Sequence, residues 1–523
     1  MSERLGRVAM GLLFYPRGGS AQVVRYLARA LPRVGWDVSL ACGSLGSPGE
    51  GSHAATFYAG LAATVADFTP ALSAFRQGED AMAAPVPLHP SYEARPGAPD
   101  RPFAALSPEL AEHQVRAWED VLVGAGFDGA DLFHLHHLTP LHDAVARHWP
   151  ERPLVTHLHG TELKMLDETA RLSALAASLG KDLAGMAARE EAGRLPAGDR
   201  LGAEDRELLG RTRWALWRFG DHWAERLRAA AGRSDRLICI SPHDRHEAQR
   251  LLSVRPETVE VIPNGVDTER FHRRELSLEE RLVLLRRWLV DDPRGWDDSG
   301  RPGSIRYAAA ALEAFVDQHS GGPAPVLLFV GRFLAFKRVP LLVRAYARAR
   351  PRFSVPAPLL VWGGSPGEWE GEHPYAVAER EGIEGVFFGG WRGHDELPLG
   401  LACASLLVGP SVDEPFGQVF LEAMSCGVPV IATRSGGPPS FVNTVRGRPN
   451  GWLVPPDDVD ALADALVEAV NNETGRRKRA ENAYEQIRDP YSWHTLVRRF
   501  AAVYDELLRR PRALGGAGPP EQV

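Results

Sequence analysis

Residues 413–430 read DEPFGQVFLEAMSCGVPV and directly follow an apolar segment, SLLVGPS, at 405–411. An apolar run, a Pro/Gly turn and a second periodic run predict a strand, a tight turn and a helix N-terminus. Free backbone N–H groups and the helix dipole favour an anion at such an N-terminus. Glu414 lies in the predicted turn and Glu422 in the predicted helix, so two carboxylates flank the expected anion site. The alternative, that both are ordinary helix charges, stays open from this stretch alone.

The spacing of these two glutamates argues against a glycoside hydrolase. Eight helical residues rise about 12 Å, whereas hydrolytic carboxylates lie about 5–9.5 Å apart across one bond. We therefore expect one long ligand held at two points, such as a sugar-bearing nucleotide.

The composition is that of a globular protein with more than one domain. The chain has 523 residues and a net charge of −7, which disfavours a nucleic-acid binder. No run approaches the roughly 20 apolar residues of a membrane span, and Val8–Tyr15 is expected to be a strand rather than a signal peptide. The cysteines form no CxxC pair and lie in or beside apolar segments, so we expect buried free thiols and a cytoplasmic protein; they are Cys42, Cys239, Cys403 and Cys426.

Short apolar strands alternate with helical segments, which predicts an α/β fold with two facing Rossmann-like domains. Ligands should bind in the cleft at the carboxyl ends of the strands. The predicted strands are Val8–Tyr15, Asp37–Cys42, Asp131–His136, Leu154–His159, Arg236–Ile240 and Val259–Pro263 in the first half, and Val326–Val330, Leu359–Trp362, Val386–Gly389, Ser405–Val408, Val428–Ala432 and Trp452–Val454 in the second.

The predicted domain boundaries place an N-terminal domain at 1–270 and a C-terminal domain at 323–490. Insertions are expected at about 46–113 and 164–232, the second of them helical. Residues 271–322 should form a helical insertion or linker, with a helix opened by the capping box Ser277–Glu280, the loop 291–303 and a second helix. Residues 511–523, rich in Gly and Pro, are expected to be a disordered tail.

A final amphipathic helix, within 491–510, is expected to cross back to the first domain. Its apolar residues follow the i, i+3, i+4, i+7 pattern; they are Trp493, Leu496, Val497, Phe500, Val503, Tyr504, Leu507 and Leu508.

A basic turn follows the first predicted strand of the second domain. The strand leads into Gly331 and Arg332, and Lys337 comes five residues later. The planar fork of Arg and the point charge of Lys suit a diphosphate and would stabilise the charge on a leaving nucleoside diphosphate. An exposed basic turn without function is the alternative.

Taken together, these motifs resemble the retaining glycosyltransferases of family 4, which have the GT-B fold. The resemblance rests on Gly331-Arg332 with Lys337 and on the frame EPFG…EAMSCGVPV. Supporting matches are IPNGVD at 262–267, SGG at 435–437 and NGWLVPP at 450–456. The match covers the second domain almost completely, the first domain in patches, and none of the insertions.

This resemblance implies roles for individual residues. The second domain would bind the nucleotide sugar and the first the acceptor. Glu414 would hydrogen-bond the donor sugar, Glu422 the ribose, and the base would lie near 388–392 against Trp391. No metal is expected, because side chains and a helix dipole neutralise the leaving group. The expected donor-binding residues are Gly18, Gly19, Gly331, Arg332, Lys337, Trp391, Glu414, Phe416, Gly417, Gln418, Val419 and Glu422.

In the first domain, Gly18 and Gly19 link the first strand to a helix. Glycines there permit close backbone approach to a ligand, although the motif is not GxGxxG and a plain tight turn is the alternative. The resemblance places an acceptor-side glycine loop at this position. It also implies that His159, directly before Gly160, positions the transferred sugar, which completes the expected catalytic set of Glu414, His159, Arg332 and Lys337.

Several further histidines lie close to His159 in the predicted fold. Their proximity makes a zinc site conceivable, but no Cys or carboxylate completes a tetrahedral set in sequence, and core or loop histidines are favoured. These residues are His134, His136, His137 and His157, and no metal ligand is assigned among them.

Two other segments bear on function. The family often has Gly-Gly-x-x-Glu after the VPV strand, but here residues 436–440 read GGPPS and lack that carboxylate. The segment 211–233 carries an aromatic and basic stripe that either lies on a membrane or, as favoured, packs on the first domain; the stripe is Leu216, Phe219, Trp223 and Leu227.

The sequence thus predicts a glycosyltransferase that moves a sugar, with retention, from a nucleoside-diphosphate sugar, a UDP-sugar by family frequency, to an acceptor hydroxyl. One alternative is another GT-B enzyme, such as a sugar-nucleotide epimerase or a phosphorylase. A second is a catalytically silent sugar-nucleotide binder. The acceptor, the donor sugar and the oligomeric state stay open.

Overall fold

The computed structural model describes residues 6–93, 99–445 and 447–509. In this part of the chain, two parallel sheets are each covered by helices on both faces. The strands of the first sheet are β1 (Gly6–Leu12), β2 (Trp36–Ser44), β3 (Ala63–Asp67), β4 (Leu132–His136), β5 (Leu154–His157), β6 (Arg236–Cys239) and β7 (Val259–Val261). Those of the second sheet are β8 (Leu327–Gly331), β9 (Leu359–Gly363), β10 (Val386–Phe388), β11 (Leu406–Gly409), β12 (Val430–Thr433) and β13 (Gly451–Val454).

Helices connect these strands and form the outer layers. In the first domain they are α1 (Gly18–Ala30), α2 (Ala54–Phe57), α3 (Thr69–Arg76), α4 (Pro108–Gly124), α5 (Leu141–His148), α6 (Thr161–Ser178), α7 (Leu183–Glu191), α8 (Ala203–Arg211), α9 (Gly220–Arg233) and α10 (Pro242–Leu252). In the second half they are α11 (Leu278–Arg286), α12 (Val339–Ala349), α13 (Pro374–Arg380), α14 (Gly393–Cys403), α15 (Gln418–Ser425), α16 (Val459–Asn471), α17 (Glu473–Ile487) and α18 (Trp493–Arg509).

The strand orders place the candidate site. The first sheet runs β3-β2-β1-β4-β5-β6-β7 and the second β10-β9-β8-β11-β12-β13. Each order reverses direction once, between β1 and β4 and between β8 and β11. In open parallel sheets, ligands bind beyond the carboxyl ends of strands at such a switch point. The chain leaves β1 towards Gly18 and leaves β11 towards Glu414, so the predicted site residues follow the switch strands.

The predicted α/β fold with two Rossmann-like sheets is confirmed. Every predicted strand has a counterpart whose ends lie within three residues of the prediction. Strand β3 was not predicted. It lies inside the segment 46–113, so this segment is part of the first sheet and not only an insertion into the domain. It is a short edge strand paired with β2, and much of it is exposed. Edge strands of this kind carry little apolar pattern.

The crossover helix is confirmed. α18 packs with α1 on the first sheet, and Phe500 and Tyr504 are fully buried there. The chain passes from the first domain to the second and later returns at the same place. There the Val266 N–H donates to the Tyr491 carbonyl at 2.7 Å. The prediction that Leu508 belongs to the buried stripe was wrong: it is 45% exposed, since the apolar face ends at Leu507.

The insertions pack on the domain that precedes or follows them. The capping box of Ser277 and Glu280 is confirmed at α11. The second helix expected after the 291–303 loop is only a 3₁₀ helix, Ala309–Phe315. Trp288 of this insertion is buried in the core of the second domain.

The segment 164–232 is helical, as predicted. Its aromatic stripe faces the protein: Trp223 is fully buried and its indole N–H donates to the Leu106 carbonyl at 2.9 Å. Trp223 and Leu227 thus pack in the core of the first domain, as the favoured alternative for residues 211–233 expects.

The four cysteines are buried free thiols, as predicted. Burial raises the pKa of Cys42 to about 12, which keeps it as an unreactive thiol. Among the described helices, none has the length and apolar character needed to cross a membrane. The predicted tail, 511–523, lies outside the described residues.

Candidate functional site

Three contacts join the two domains. A methyl group added at Gly160 would lie 2.5 Å from Pro415 Cβ, so the loop after β5 touches the loop after β11. The Lys164 ammonium lies 3.7 Å from the ring centroid of Phe336. The Gln418 side chain donates to the Gly265 carbonyl at 2.6 Å. The predicted site residues surround these contacts.

Glu414 and Lys337 form an ion pair at the centre of the cleft. The Lys337 ammonium donates to Glu414 Oε2 at 2.5 Å, and Glu414 is only 8% exposed. Burial alone would raise the pKa of Glu414, but the charge and hydrogen bond of Lys337, with the charge of Lys164 and a hydrogen bond from Ser411, together outweigh burial and hold that pKa below its ordinary value. Two of the predicted catalytic residues are thus brought together as a charged pair in which Glu414 is buried and Lys337 is partly buried.

The loop 436–440, which lacks the expected family carboxylate, supports Glu414 through its backbone. A methyl group at Gly436 would lie 2.3 Å from the Glu414 carbonyl oxygen. The Gly437 N–H donates to the same oxygen at 2.7 Å. Glycine at these two positions lets one backbone segment lie directly against the other.

Gly331 and Arg332 lie at the carboxyl end of β8, as predicted. The Arg332 guanidinium is 3.6 Å from the Glu93 carboxylate of the first domain, and its side chain is 38% exposed. Glu93 was not predicted as a site residue. It lies in the segment 46–113, which contains no recognisable sequence motif.

The turn before α15 has the form of an anion-binding N-terminus. Gly417 caps the helix with φ +87°, a left-handed conformation that favours glycine. A methyl group there would lie 2.3 Å from the ring of Phe420. Phe416 is buried, whereas Gln418 and Val419 keep partial exposure in the first turn of the helix. The first N–H groups of a helix have no partner within the helix, so such a turn favours an anion.

Glu422 lies one to two turns further along α15 and is 4% exposed. Its carboxylate Oε1 is 3.0 Å from His394 Nε2. The His394 ring in turn meets Phe271 edge-on, with centroids 5.1 Å apart. His394 was not predicted; it opens α14 and carries no motif that sequence reasoning can recognise.

The expected base-binding region at 388–392 is covered on one side by the insertion after α11. The Arg392 guanidinium is buried and donates to the Trp288 carbonyl at 2.6 Å and to the Asp292 carboxylate at 2.9 Å. A methyl group at Gly390 would lie 2.0 Å from the Arg294 carbonyl oxygen. Trp391 is 53% exposed at the surface beside this contact.

Gly18 and Gly19 open α1 at the carboxyl side of β1, as predicted. Gly18 has φ +74°, and a methyl group at either glycine would meet nothing within 4 Å. The helix has no side-chain cap, so its first N–H groups face open space. Beside them, Arg17 donates to the Tyr15 hydroxyl at 2.8 Å.

His159 follows β5 and is held from two sides. Its backbone N–H donates to Glu162 Oε1 at 2.9 Å, and its Nε2 lies 3.0 Å from His136 Nδ1. Glu162 is fully buried and also pairs with His137 at 3.1 Å. Burial would raise the pKa of Glu162, but His137 holds it below its ordinary value. Glu162 was missed, because an isolated glutamate in a helix gives no sequence signal.

Two further charged groups complete the cleft. Burial and the neighbouring Glu162 raise the pKa of Asp244 well above its ordinary value. Burial lowers the pKa of Lys164, although Glu414 opposes this. Lys164 comes from α6 of the first domain and reaches the donor side of the cleft, beside Lys337. No motif marked either residue.

Two family models match the chain. "Glycosyltransferase Family 4" matches residues 17–270, and "Glycosyl transferases group 1" matches residues 313–486. The two matches fall on the first and the second domain respectively.

Curated proteins match over part of the chain. A D-inositol 3-phosphate glycosyltransferase of Kribbella flavida is 32% identical over 282 residues, which are 52% of this chain and 56% of that protein. The lipopolysaccharide core biosynthesis glycosyltransferase LpsE of Rhizobium meliloti is 34% identical over 170 residues, 32% of this chain and 46% of that protein. The chain therefore spans about half the length of the curated relatives that it matches.

Solved structures share the fold over nearly the whole chain. Sucrose-phosphate synthase of Thermosynechococcus elongatus superposes with a TM-score of 0.59 at 18% identity, covering 96% of this chain and 99% of that one. Anabaena HepE in complex with UDP-glucose gives a TM-score of 0.55 at 17% identity, with the same coverage.

Proposed function

Because the chain belongs to glycosyltransferase family 4 and has the GT-B fold, we propose that it transfers a hexose-type sugar from a nucleoside-diphosphate sugar to an acceptor hydroxyl. The observation that carries this proposal is the part-buried Lys337–Glu414 ion pair just before the N-terminus of α15. It combines a cation for a diphosphate with a carboxylate for sugar hydroxyls. A UDP-sugar is the first donor to test, since HepE, a structural neighbour, was solved with UDP-glucose.

The donor diphosphate is proposed to bind between Arg332, Lys337 and the N-terminus of α15. Arg332 is partly exposed and reaches into the cleft, so its fork is available to two phosphate oxygens. Lys337 adds a second charge. These groups neutralise the leaving diphosphate without a metal, because their charges are fixed before the reaction begins.

Glu414 and Glu422 are proposed to bind the hydroxyls at the two ends of the donor. Glu414 stays ionised at neutral pH because Lys337 lowers its pKa, so it accepts hydrogen bonds from the sugar. Glu422 accepts from the ribose, and His394, 3.0 Å away, orients its carboxylate.

Transfer is proposed to proceed with retention of configuration. The bond between the anomeric carbon and the diphosphate oxygen breaks, and the acceptor oxygen forms its bond on the same face of the sugar. The acceptor proton passes to an oxygen of the leaving diphosphate. His159 holds the sugar from the first domain, and Glu162 fixes the His159 backbone. Contact of the two domains at Gly160 and Pro415 excludes water from this step.

Inositol phosphate is the first acceptor to assay, given the D-inositol 3-phosphate glycosyltransferases among the relatives. A phosphorylated acceptor also fits the charges of the first domain, where Arg17 and Lys164 flank the cleft. The release of nucleoside diphosphate is measured with and without acceptor, and the anomeric configuration of the product is read by proton NMR.

The decisive first experiment compares the thermal stabilisation by UDP, GDP and ADP in the wild type and in Glu422→Gln. A ligand at 100 times its dissociation constant stabilises the fold by about 2.7 kcal/mol. One nucleotide should raise the melting temperature of the wild type and fail to do so in the variant. Nucleotide binding without acceptor-dependent release of diphosphate would instead favour a silent binder. Conversion of the donor without transfer would favour an epimerase.

A further inference from the structure

A cluster of three histidines lies beneath the crossover helix, apart from the proposed diphosphate site. His134 and His136 alternate on one face of β4, and His157 on β5 is the direct neighbour of His136 in the parallel register. All three side chains are fully buried. Their rings stack, with centroids 4.6 Å apart for His134 and His136 and 5.1 Å for His136 and His157. Phe500 and Tyr504 of α18 cover the cluster.

The ring nitrogens of the cluster lie close together. One nitrogen from each of the three histidines lies within 4.8 Å of the other two. A zinc ion binds histidine nitrogens at about 2.0–2.1 Å, so each nitrogen has to move inward by less than about 1 Å to share one ion. Rotation of the ring about its bond to Cβ supplies such a movement without a backbone shift.

The hydrogen bonds of the cluster leave the converging nitrogens free. His134 Nδ1 lies 2.5 Å from the Tyr504 hydroxyl, and His136 Nδ1 lies 3.0 Å from His159 Nε2. The Nε2 atoms of His134 and His136 and both ring nitrogens of His157 are buried without a partner. Leaving a buried polar atom without a partner is unfavourable. A metal ion satisfies three of them at once.

We propose that His134, His136 and His157 bind one divalent transition metal ion of the zinc class. Imidazole nitrogen selects zinc and its neighbours over magnesium and calcium, which prefer oxygen. The Tyr504 hydroxyl, by accepting from His134 Nδ1–H, directs the His134 Nε2 lone pair to the ion. His159 does the same for His136. Such outer partners orient metal-bound histidines.

The ion ties the crossover helix to the first sheet. Tyr504 belongs to α18, which returns from the second domain, while the three ligands belong to β4 and β5. The buried carboxylate Glu162 pairs with His137 and accepts from the backbone N–H of His159, whose ring lies against His136. The role is structural, so the proposed transfer chemistry at Lys337 and Glu414 proceeds without this metal.

The test measures metal content and metal spectra on the full chain. Because the site is buried, the protein is unfolded in urea, stripped with a chelator and refolded with Zn²⁺ or Co²⁺. The wild type should hold one ion per chain, and Co²⁺ bound by the three imidazoles should give visible absorption bands that the metal-free protein lacks. His157→Gln should lose the ion and its bands. Tyr504→Phe should keep the site but weaken binding about 10–100-fold.

His142→Gln is the matched control. His142 is equally buried in the same domain, but it bonds to Thr139 and Thr156 and lies outside the cluster. The His142→Gln variant should bind one ion, like the wild type. Wild-type protein that refolds without metal, or His157→Gln that keeps the full complement with unchanged bands, would overturn the proposal. If His157→Gln does not fold, Tyr504→Phe decides: unchanged metal affinity in that variant would also overturn it.

Discussion

Gly160→Ala should disable the enzyme far more than it destabilises the fold. Gly160 has φ +87°, and its added methyl group would lie 2.5 Å from Pro415 Cβ and 2.9 Å from Pro415 Cγ. Carbon atoms in contact prefer about 3.5–4.0 Å. The loop after β5 and the loop after β11 must therefore separate by about 1 Å to relieve the overlap.

The magnitude follows from two separate effects. A left-handed backbone costs an alanine about 1–2 kcal/mol relative to glycine, and this loss appears in the free energy of unfolding. The displacement acts on His159 and Glu414, which lie on the two loops and are proposed to hold the same sugar. A misplacement of about 1 Å in a catalytic arrangement costs about 100-fold in rate.

Gly180→Ala separates the two effects. Gly180 follows the same helix, α6, and has φ +68°, but a methyl group there would meet nothing within 4 Å. Gly180→Ala should lose about 1–2 kcal/mol in urea unfolding, and Gly160→Ala should lose at least as much, because it also carries the overlap with Pro415. Only Gly160→Ala should lose about 100-fold in kcat/KM for acceptor-dependent release of nucleoside diphosphate. Equal activity in the two variants would refute the claim that the Gly160–Pro415 contact sets the geometry of the site.

Three further outcomes are expected. Lys337→Met should lower the free energy of unfolding by about 3 kcal/mol, because it leaves the Glu414 carboxylate buried without its cation. The double variant with Glu414→Gln should regain most of that stability in urea unfolding but no activity. A double variant as unstable as Lys337→Met would contradict this. Glu422→Gln should weaken binding of the nucleoside diphosphate by at least about tenfold in calorimetry, since one charge-assisted hydrogen bond contributes about 1.5–3 kcal/mol. Acid should destabilise the first domain, because burial lowers the pKa of His89 and of His142 to about 4. Between pH 6.5 and pH 4 only the unfolded chain takes up their protons, so stability that is present above pH 6.5 is lost as the pH falls, by about 1 kcal/mol per group and pH unit. Melting temperatures that do not change between pH 7.5 and 5.5 would rule this out.

The architecture could be predicted because its signals are local. Apolar runs of parallel strands are buried on both faces, so β8, β11 and β12 each read as continuous apolar segments. The turn of residues 413–417 carries its own signal in Pro and Gly. β3 escaped because an edge strand needs only a partial apolar pattern. The sequence predicts a helix at 309–315 because its alanines have high helix propensity. That propensity does not distinguish an α-helix from the 3₁₀ helix that the structure has there.

The partners of the predicted carboxylates could not be predicted, because each comes from a distant part of the chain. Glu414 was placed correctly in its turn, but Lys164, which lies across the cleft beside Lys337, belongs to a helix of the other domain. Glu422 pairs with His394, which opens a different helix. Such pairs depend on how two domains face each other, and a single sequence carries no local pattern for that relation.

The histidines show the same limit from the opposite side. Alternation along a strand places His134 and His136 on one face, and this much the sequence predicts. That His157 lies beside His136, and that Tyr504 lies against His134, follows only from the strand register and from the return of α18 across the first sheet. The sequence therefore shows how many histidines there are, but not that these three lie together. A search restricted to ligands close in sequence rejects a site of this kind, since its members come from two strands and its outer partner from the last helix.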